Sequence, residues 1–173
     1  SKFVDKKVED HEWDRIMAKS IDIKDMPIYV NDDPDLTVEK IISIASKRGN
    51  SSKVDLIIVD YLQLAKTKTK HRSREEEVSS ISRKLKLLAK ELKVPVVALA
   101  QLNRRGALEN REPVLEDIRE SGAIEQDAYA VVFIHRDDVR GKTENSGLAK
   151  LIIAKNRNGK IGKIVIRYND ELT

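Results

Sequence analysis

No cysteine occurs among the 173 residues, which excludes disulfides and thiolate metal sites and fits a reducing compartment. No apolar run approaches the roughly 18 residues that a membrane-spanning helix needs. The chain therefore reads as a soluble globular protein with no membrane partner, and the cytoplasm is its expected location. No secretory signal pattern opens the sequence, and Ser1-Lys2 with charges close behind reads as the start of an excised segment of a longer protein. Aromatic residues make up only 4%, too few to offer a stacking platform for bases, so any nucleic-acid contact is expected to track the backbone. Internal repeats, low-complexity tracts and long linkers are also missing, so nothing asks for a second domain. A chain of this length can bury a real core, and residues 1–173 are read as one domain.

Charge is abundant but nearly balanced: 36% of residues are charged and the net charge is +4. That mild excess is compatible with phosphate backbones yet common in proteins that never touch them. Its distribution is more telling. Lys66, Lys68, Lys70, His71, Arg72 and Arg74 crowd one short polar stretch, and Arg104, Arg105 and Arg111 another. Both read as loops, which either face phosphates or are solvated linkers.

Hydrophobic periodicity supplies the frame. A mixed helical pattern runs from about Asp5 to Ser20, and Pro27 to Val30 is a short strand-like run. After the turn chemistry of Asn31 to Pro34, Leu36, Val38, Ile41, Ile42 and Ala45 recur at helical spacing, with Thr37 as a cap and an end near Gly49. Leu56 to Val59, closed by Asp60, has the pattern of a strand buried on both faces of a parallel sheet, as has Pro95 to Ala100, followed by Gln101. Between them, Val78, Ile81, Leu85, Leu88 and Leu92 fall on one face of a helix from Glu75 to Leu92. Strand, helix and strand make a βαβ unit, whose parallel strands bring Asp60 and Gln101 out at the same carboxyl edge. Ala130 to Ile134 is a third buried run, and Leu148 to Ala154 pairs with Ile161 to Tyr168 as a hairpin around Asn158-Gly159. The fold class is α/β with an antiparallel margin.

A carboxylate that ends a buried strand has the geometry to reach a nucleotide-bound Mg²⁺, directly or through water. Asp60 is the candidate, although strand-end aspartates also serve ordinary turns. Gln101, a neutral amide beside that strand, has the chemistry to bond a γ-phosphate or orient water, or to be a simple loop amide.

The windows Asp60-Tyr61-Leu62-Gln63-Leu64 and Ala98-Leu99-Ala100-Gln101-Leu102-Asn103-Arg104 resemble, in order and spacing, the bacterial replicative DNA helicases of DnaB type. The run from Asp117-Ile118-Arg119-Glu120-Ser121-Gly122 to Ala128 is the most specific match and is similar to that family's second DNA-binding loop region. Ile152-Ile153-Ala154-Lys155-Asn156-Arg157-Asn158-Gly159 resembles the segment that reaches a neighbouring subunit's nucleotide, and a weaker likeness runs from Tyr29 to Ile42. Most of the chain is covered.

The resemblance implies a RecA-like, mostly parallel sheet flanked by helices, with a C-terminal antiparallel hairpin and an incomplete N-terminal side. It implies an ATP-dependent DNA helicase motor that couples ATP hydrolysis to translocation on single-stranded DNA and duplex unwinding in a homo-hexameric ring. ATP and Mg²⁺ are the implied cofactors, and primase and a helicase loader the implied further partners. Residue by residue, it implies Asp60 for Mg²⁺, Gln101 for sensing the γ-phosphate, and Lys155 with Arg157 for neutralising transition-state charge in trans. Arg119, Glu120 and Gly122 match positions that grip the single-stranded DNA backbone, where a glycine permits close approach and a conformation forbidden to side chains. Without the resemblance, Lys155 and Arg157 read as a polar hairpin end, and Arg119 and Glu120 as exposed charges at a helix start.

The chain departs from the family in one large respect. No phosphate loop of the form GxxxxGK followed by Ser or Thr occurs, and Arg140-Gly141-Lys142-Thr143 lacks the first glycine and falls too late. The family's catalytic glutamate is likewise expected upstream of Ser1. The chain alone is therefore not expected to hydrolyse ATP, and loss of the central phosphate-loop strand is expected to expose sheet edges. Tyr129 and Asn156 stand where the family usually has aspartate and glutamine. A non-catalytic binding module and another RecA-like ATPase are the competing readings.

Overall fold

The computed structural model describes residues 8–51, 53–103, 111–118, 121–137 and 147–169. It divides into two compact units, Ser1–Asp33 with Asn169–Thr173, and Pro34–Tyr168.

In the first unit, helix α1 spans Asp10–Lys24. The Glu12 side chain accepts the Glu9 N–H at 3.1 Å, and acids in the first turn and Lys24 in the last complement the helix dipole. The helix ends four residues beyond the expected Ser20, and residues 5–7 lie outside the described ones. Pro27 to Val30 does not form the expected strand: the run has no regular structure, and Val30 is 85% exposed. An apolar stretch becomes a strand only where another strand takes its N–H and C=O groups, and none does so here among the described residues.

The second unit opens on Thr37, whose hydroxyl accepts the Lys40 N–H at 3.3 Å and caps α2, Val38–Ser51. The helix runs through Gly49 rather than stopping there. Strand β1, Ile57–Val59, leads through a 3₁₀ turn at Leu62–Leu64 to α3, Arg74–Leu92. Ser73 caps α3 by accepting the Glu76 N–H at 3.2 Å. The helix ends at Lys93, in the left-handed region at φ 56°. Strand β2, Val96–Ala98, pairs with β1 in parallel, Ile57 opposite Val96 and Val59 opposite Ala98. A 3₁₀ turn at Leu115–Asp117 precedes helix α4, Ser121–Asp127. Strands β3 (Ala130–His135), β4 (Leu148–Asn156) and β5 (Gly162–Arg167) form an antiparallel sheet in the order β3-β4-β5. In the β4–β5 turn the Asn156 side chain lies against Gly159, where a Cβ would make it shift.

The core is built on α3. Val78, Ile81, Leu85 and Leu88 are buried along one stripe and meet Val38 and Ile41 of α2, Val59, Leu62, Ile124 of α4, Phe133 and Ile152. Ion pairs tie the antiparallel sheet to the segment before Leu115: Glu112 meets Lys163 at 2.5 Å and Lys150 at 3.1 Å, and Lys150 also meets Asp137 at 3.1 Å. The Lys163 ammonium, helped by Lys150 and opposed by burial, holds the Glu112 carboxyl below its ordinary value.

Two expectations are corrected. The described strands are not mostly parallel: β1 and β2 make the only parallel pair among them, and β3 joins β4 and β5 instead. The apolar runs are not buried on both faces either. Val59 is 8% exposed and packs in the α3-centred core, but Ile58 is 62% and Val97 47% exposed, because within the larger unit α3 packs on one side of the short parallel sheet only.

Leu88 is 1% exposed, the last of the four buried apolar residues of the stripe. Leu88→Ala is expected to lower unfolding stability by about 2–5 kcal/mol, read from urea melts; a loss within about 0.5 kcal/mol would contradict a core centred on α3.

Candidate active site

Asp60 and Gln101 leave the parallel sheet at the same carboxyl edge, as the spacing predicts. Asp60 follows β1 directly, and Gln101 stands three positions after β2. The two segments stay joined beyond the strands, since the Leu99 N–H donates to the Val59 carbonyl and the Leu62 N–H to the Leu99 carbonyl, both at 2.9 Å. Both residues are exposed, and among the described residues no donor reaches the Asp60 carboxylate. The Asp60-Tyr61 peptide is cis.

The exposed Asp60 carboxylate is of the kind that Mg²⁺ takes as a ligand. Magnesium keeps several waters and takes one or two protein carboxylates beside nucleotide phosphates, and no group of three metal-ligating side chains occurs among the described residues. A cavity of about 260 Å³ lined by Gly49, Lys53, Asp55, Leu92 and Lys93 lies before the starts of β1 and β2, at the opposite edge from Asp60 and Gln101.

Lys155 and Arg157 are held elsewhere. The Lys155 ammonium donates to the Glu125 carbonyl, and Arg157 Nη2 donates to the Gln126 carbonyl at 2.6 Å. Both acceptors belong to the last turn of α4, whose carbonyl end favours cations. The β3–β4 register shifts between Val131 and Val132, leaving Ala154 as the extra residue just before Lys155. No hydrogen bond or ion pair among the described residues joins this pair to Asp60 or Gln101.

Gly122 stands in the first turn of the same helix. It is exposed, its φ is not positive, and a Cβ there would meet nothing within 4 Å. The expectation of a conformation forbidden to side chains is thus corrected, since a helical φ suits any residue; open space above the backbone remains. Arg119 and Glu120, like Arg104 and Arg105, lie outside the described residues.

The basic stretch from Lys66 to Arg74 divides into inward and outward residues. Lys66 pairs with Asp35 at 2.9 Å. Arg74 turns inward, pairing with Glu77 at 2.5 Å and donating to the carbonyls of Gln63 at 2.7 Å and Ala65 at 3.1 Å. The Lys68, Lys70 and Arg72 side chains are exposed, without a partner among the described residues. Arg111 likewise leaves the second basic cluster, gripping the buried Asp117 carboxylate through both oxygens at 2.6 and 2.9 Å. Gln63, Arg74 and the Arg111–Asp117 pair went unrecognised in the sequence because their partners are backbone atoms or lie in irregular segments, which no periodicity marks.

These features sit in a fold shared with solved helicase structures. A DnaB-like replicative helicase, described with its interactions with primase, gives a TM-score of 0.85 and 32% identity over 94% of this chain and 40% of that one. A second solved structure, an isolated ATPase domain, aligns at a TM-score of 0.84 and 33% identity, covering 95% of this chain and 59% of that one. Replicative DNA helicase DnaB of Mycobacterium leprae (strain TN) is 40% identical over 169 residues, 96% of this chain and 28% of that protein. The profile of the DnaB-like helicase C terminal domain matches residues 1–173, and the chain belongs to that family. It spans 28% to 37% of the length of the curated relatives it matches. No described helix is long and apolar enough to cross a membrane.

Burial pushes the Glu77 carboxyl up, but the Thr67 N–H and the Arg74 guanidinium outweigh it and hold it below its ordinary value. A depressed carboxyl stabilises the fold above its unfolded-state pKa and loses that contribution as pH falls through the folded one. Wild-type melting temperature is therefore expected to drop on acidification from neutral to about pH 3. Glu77→Gln should melt lower at neutral pH and show a shallower acid limb, the two curves converging in acid; parallel curves would deny the clamp its pH dependence.

Proposed function

We propose that this chain is part of the motor of a replicative DNA helicase, one that couples ATP hydrolysis to translocation on single-stranded DNA and duplex unwinding in a homo-hexameric ring. The observation that carries this reading is the joint placement of Asp60 and Gln101 at one sheet edge, on strands whose ends remain hydrogen-bonded. Asp60 would hold Mg²⁺, which neutralises charge on the nucleotide phosphates. Gln101 offers a neutral amide to the γ-phosphate side of the same edge. The missing phosphate loop is assigned to sequence outside these residues, so the isolated chain is not expected to turn over ATP. The exposed apolar side of β1 and β2 fits a surface on which the rest of such a motor packs.

Lys155 and Arg157 act in trans in this reading. Their bonds run to α4 carbonyls, and none among the described residues runs to Asp60 or Gln101, which leaves both cations available to a nucleotide other than the one at that edge. To reach it they exchange two carbonyl oxygens for phosphate oxygens, which are stronger acceptors. Arg119, Glu120 and Gly122 contact the DNA backbone, and the empty space above Gly122 is what close approach of a phosphate requires. Lys68, Lys70 and Arg72 provide a second, sequence-independent contact. A primase and a helicase loader are the proposed protein partners, and the cytoplasm the proposed compartment.

The test is ATPase activity stimulated by single-stranded DNA in the full-length protein. Arg157→Ala is expected to lower kcat by about 10³-fold or more, while this chain alone shows no turnover; undiminished turnover in the variant would remove the in-trans assignment. Gly122→Ala should raise stability by about 0.5–1 kcal/mol, since a helical position gains a Cβ in open space. The same variant should weaken single-stranded DNA binding, measured by fluorescence anisotropy. Unchanged affinity would take Gly122 out of the DNA contact.

A further inference from the structure

Gln63 has no role in the site as read so far, yet its side chain holds the main chain of Gln101 from both sides. Gln63 Oε1 accepts the Gln101 N–H at 3.0 Å, and Gln63 Nε2 donates to the Gln101 carbonyl at 3.3 Å. One primary amide thus satisfies both backbone groups of one residue, as a neighbouring strand would. It does so across 38 positions of sequence and beyond the last paired residues of β1 and β2, Val59 and Ala98. The bonds from Leu99 to Val59 and from Leu62 to Leu99 lead up to it, so the clamp is the final rung of a ladder running from the strands into the candidate site.

Gln63 is itself anchored. Its carbonyl accepts from Arg74 Nη2 at 2.7 Å, and the same guanidinium reaches the Ala65 carbonyl and the Glu77 carboxylate. Arg74 closes the basic stretch and opens α3, while Glu77 also takes the Thr67 N–H at 3.0 Å. An unbroken set of bonds therefore runs from the basic loop, through Arg74 and Gln63, to the backbone of Gln101.

We propose that Gln63 is a positioning residue for Gln101, fixing the backbone from which that side chain projects, and that Arg74 ties this clamp to the basic loop. The inference rests on the reading of Gln101 as the residue that meets the γ-phosphate. Only a primary amide of this length performs the task. Glutamate keeps an acceptor for the N–H but sets a carboxylate oxygen against a carbonyl, and methionine keeps the length while offering neither bond well. Misplacing a group that contacts the transferred phosphoryl slows chemistry without weakening a nucleotide that lacks this phosphate.

The experiment compares wild type, Gln63→Met, Gln63→Glu and Gln101→Ala in the full-length protein, with single-stranded DNA and Mg²⁺. It reads kcat and KM for ATP, Kd for ADP and melting temperature. In parallel, hydrogen exchange follows the Gln101 amide in this chain. Gln63→Met is expected to lower kcat on the order of 10–100-fold at unchanged ADP affinity and melting temperature. It should also speed exchange of the Gln101 amide by about two- to tenfold, leaving the Ile58 and Val97 amides unchanged, and Gln63→Glu should be slower still in turnover. If Gln101→Ala is inactive while both Gln63 variants turn over as wild type, the positioning role is overturned and the proposed function stands. If Gln101→Ala itself turns over as wild type, the reading beneath the inference falls and takes it along. A Gln63→Met protein that loses ADP affinity or melting temperature in step with kcat would show a merely structural residue, and would overturn the proposal as well.

Discussion

The buried stripe of α3 is the constraint on which the remainder of the larger unit depends. Val78, Ile81, Leu85 and Leu88 leave water together because they recur at helical spacing, and each contributes about 1.5–3 kcal/mol of apolar burial. Helices α2 and α4 and the Leu62–Leu64 turn all pack against this helix. Its axis therefore determines where β1 and β2 end, and so where Asp60 and Gln101 emerge. Its first residue, Arg74, carries the same influence into the loop, by supplying charged donors to carbonyls of a turn that has no strand to satisfy them.

Opposed to that apolar centre are two groups of polar contacts with different reach. Around the parallel pair they are backbone and amide bonds, directional, and they hold the edge that carries Asp60 and Gln101. Around α4 they are cations on helix carbonyls, which are good acceptors but exchangeable for better ones. The Gln101 backbone is clamped by a side-chain amide, whereas Lys155 and Arg157 rest on helix carbonyls that a phosphate could replace.

Helix α3 was legible almost to the residue, because its apolar positions recur at helical spacing from Val78 to Leu92. The β4–β5 hairpin was legible from Asn158-Gly159 and its flanking apolar runs. The stretch from Pro27 to Val30 was not, since β propensity describes a surface able to pair and not the presence of a partner. The depth at which β1 and β2 are buried was misjudged for a related reason: a continuous apolar run states what a strand tolerates, whereas cover depends on elements that pack over it. Among charged residues, spacing grouped Arg74 with Lys68, Lys70 and Arg72, though only the guanidinium of Arg74 is turned toward carbonyls.

The sequence by itself determined the family, through motif windows that resemble it in residues and spacing, and also helix α3 and the emergence of Asp60 and Gln101 at a common sheet edge, because periodicity and strand-end chemistry are local and need no knowledge of neighbours. Tertiary structure alone decided which charges face inward, which sheet β3 joins, where Lys155 and Arg157 rest, and that Gln63 grips Gln101 across 38 positions. Those outcomes depend on hydrogen-bonding groups brought together from distant parts of the chain. A buried or edge-bound donor takes whichever acceptor the fold presents to it, and no spacing in the sequence records that choice.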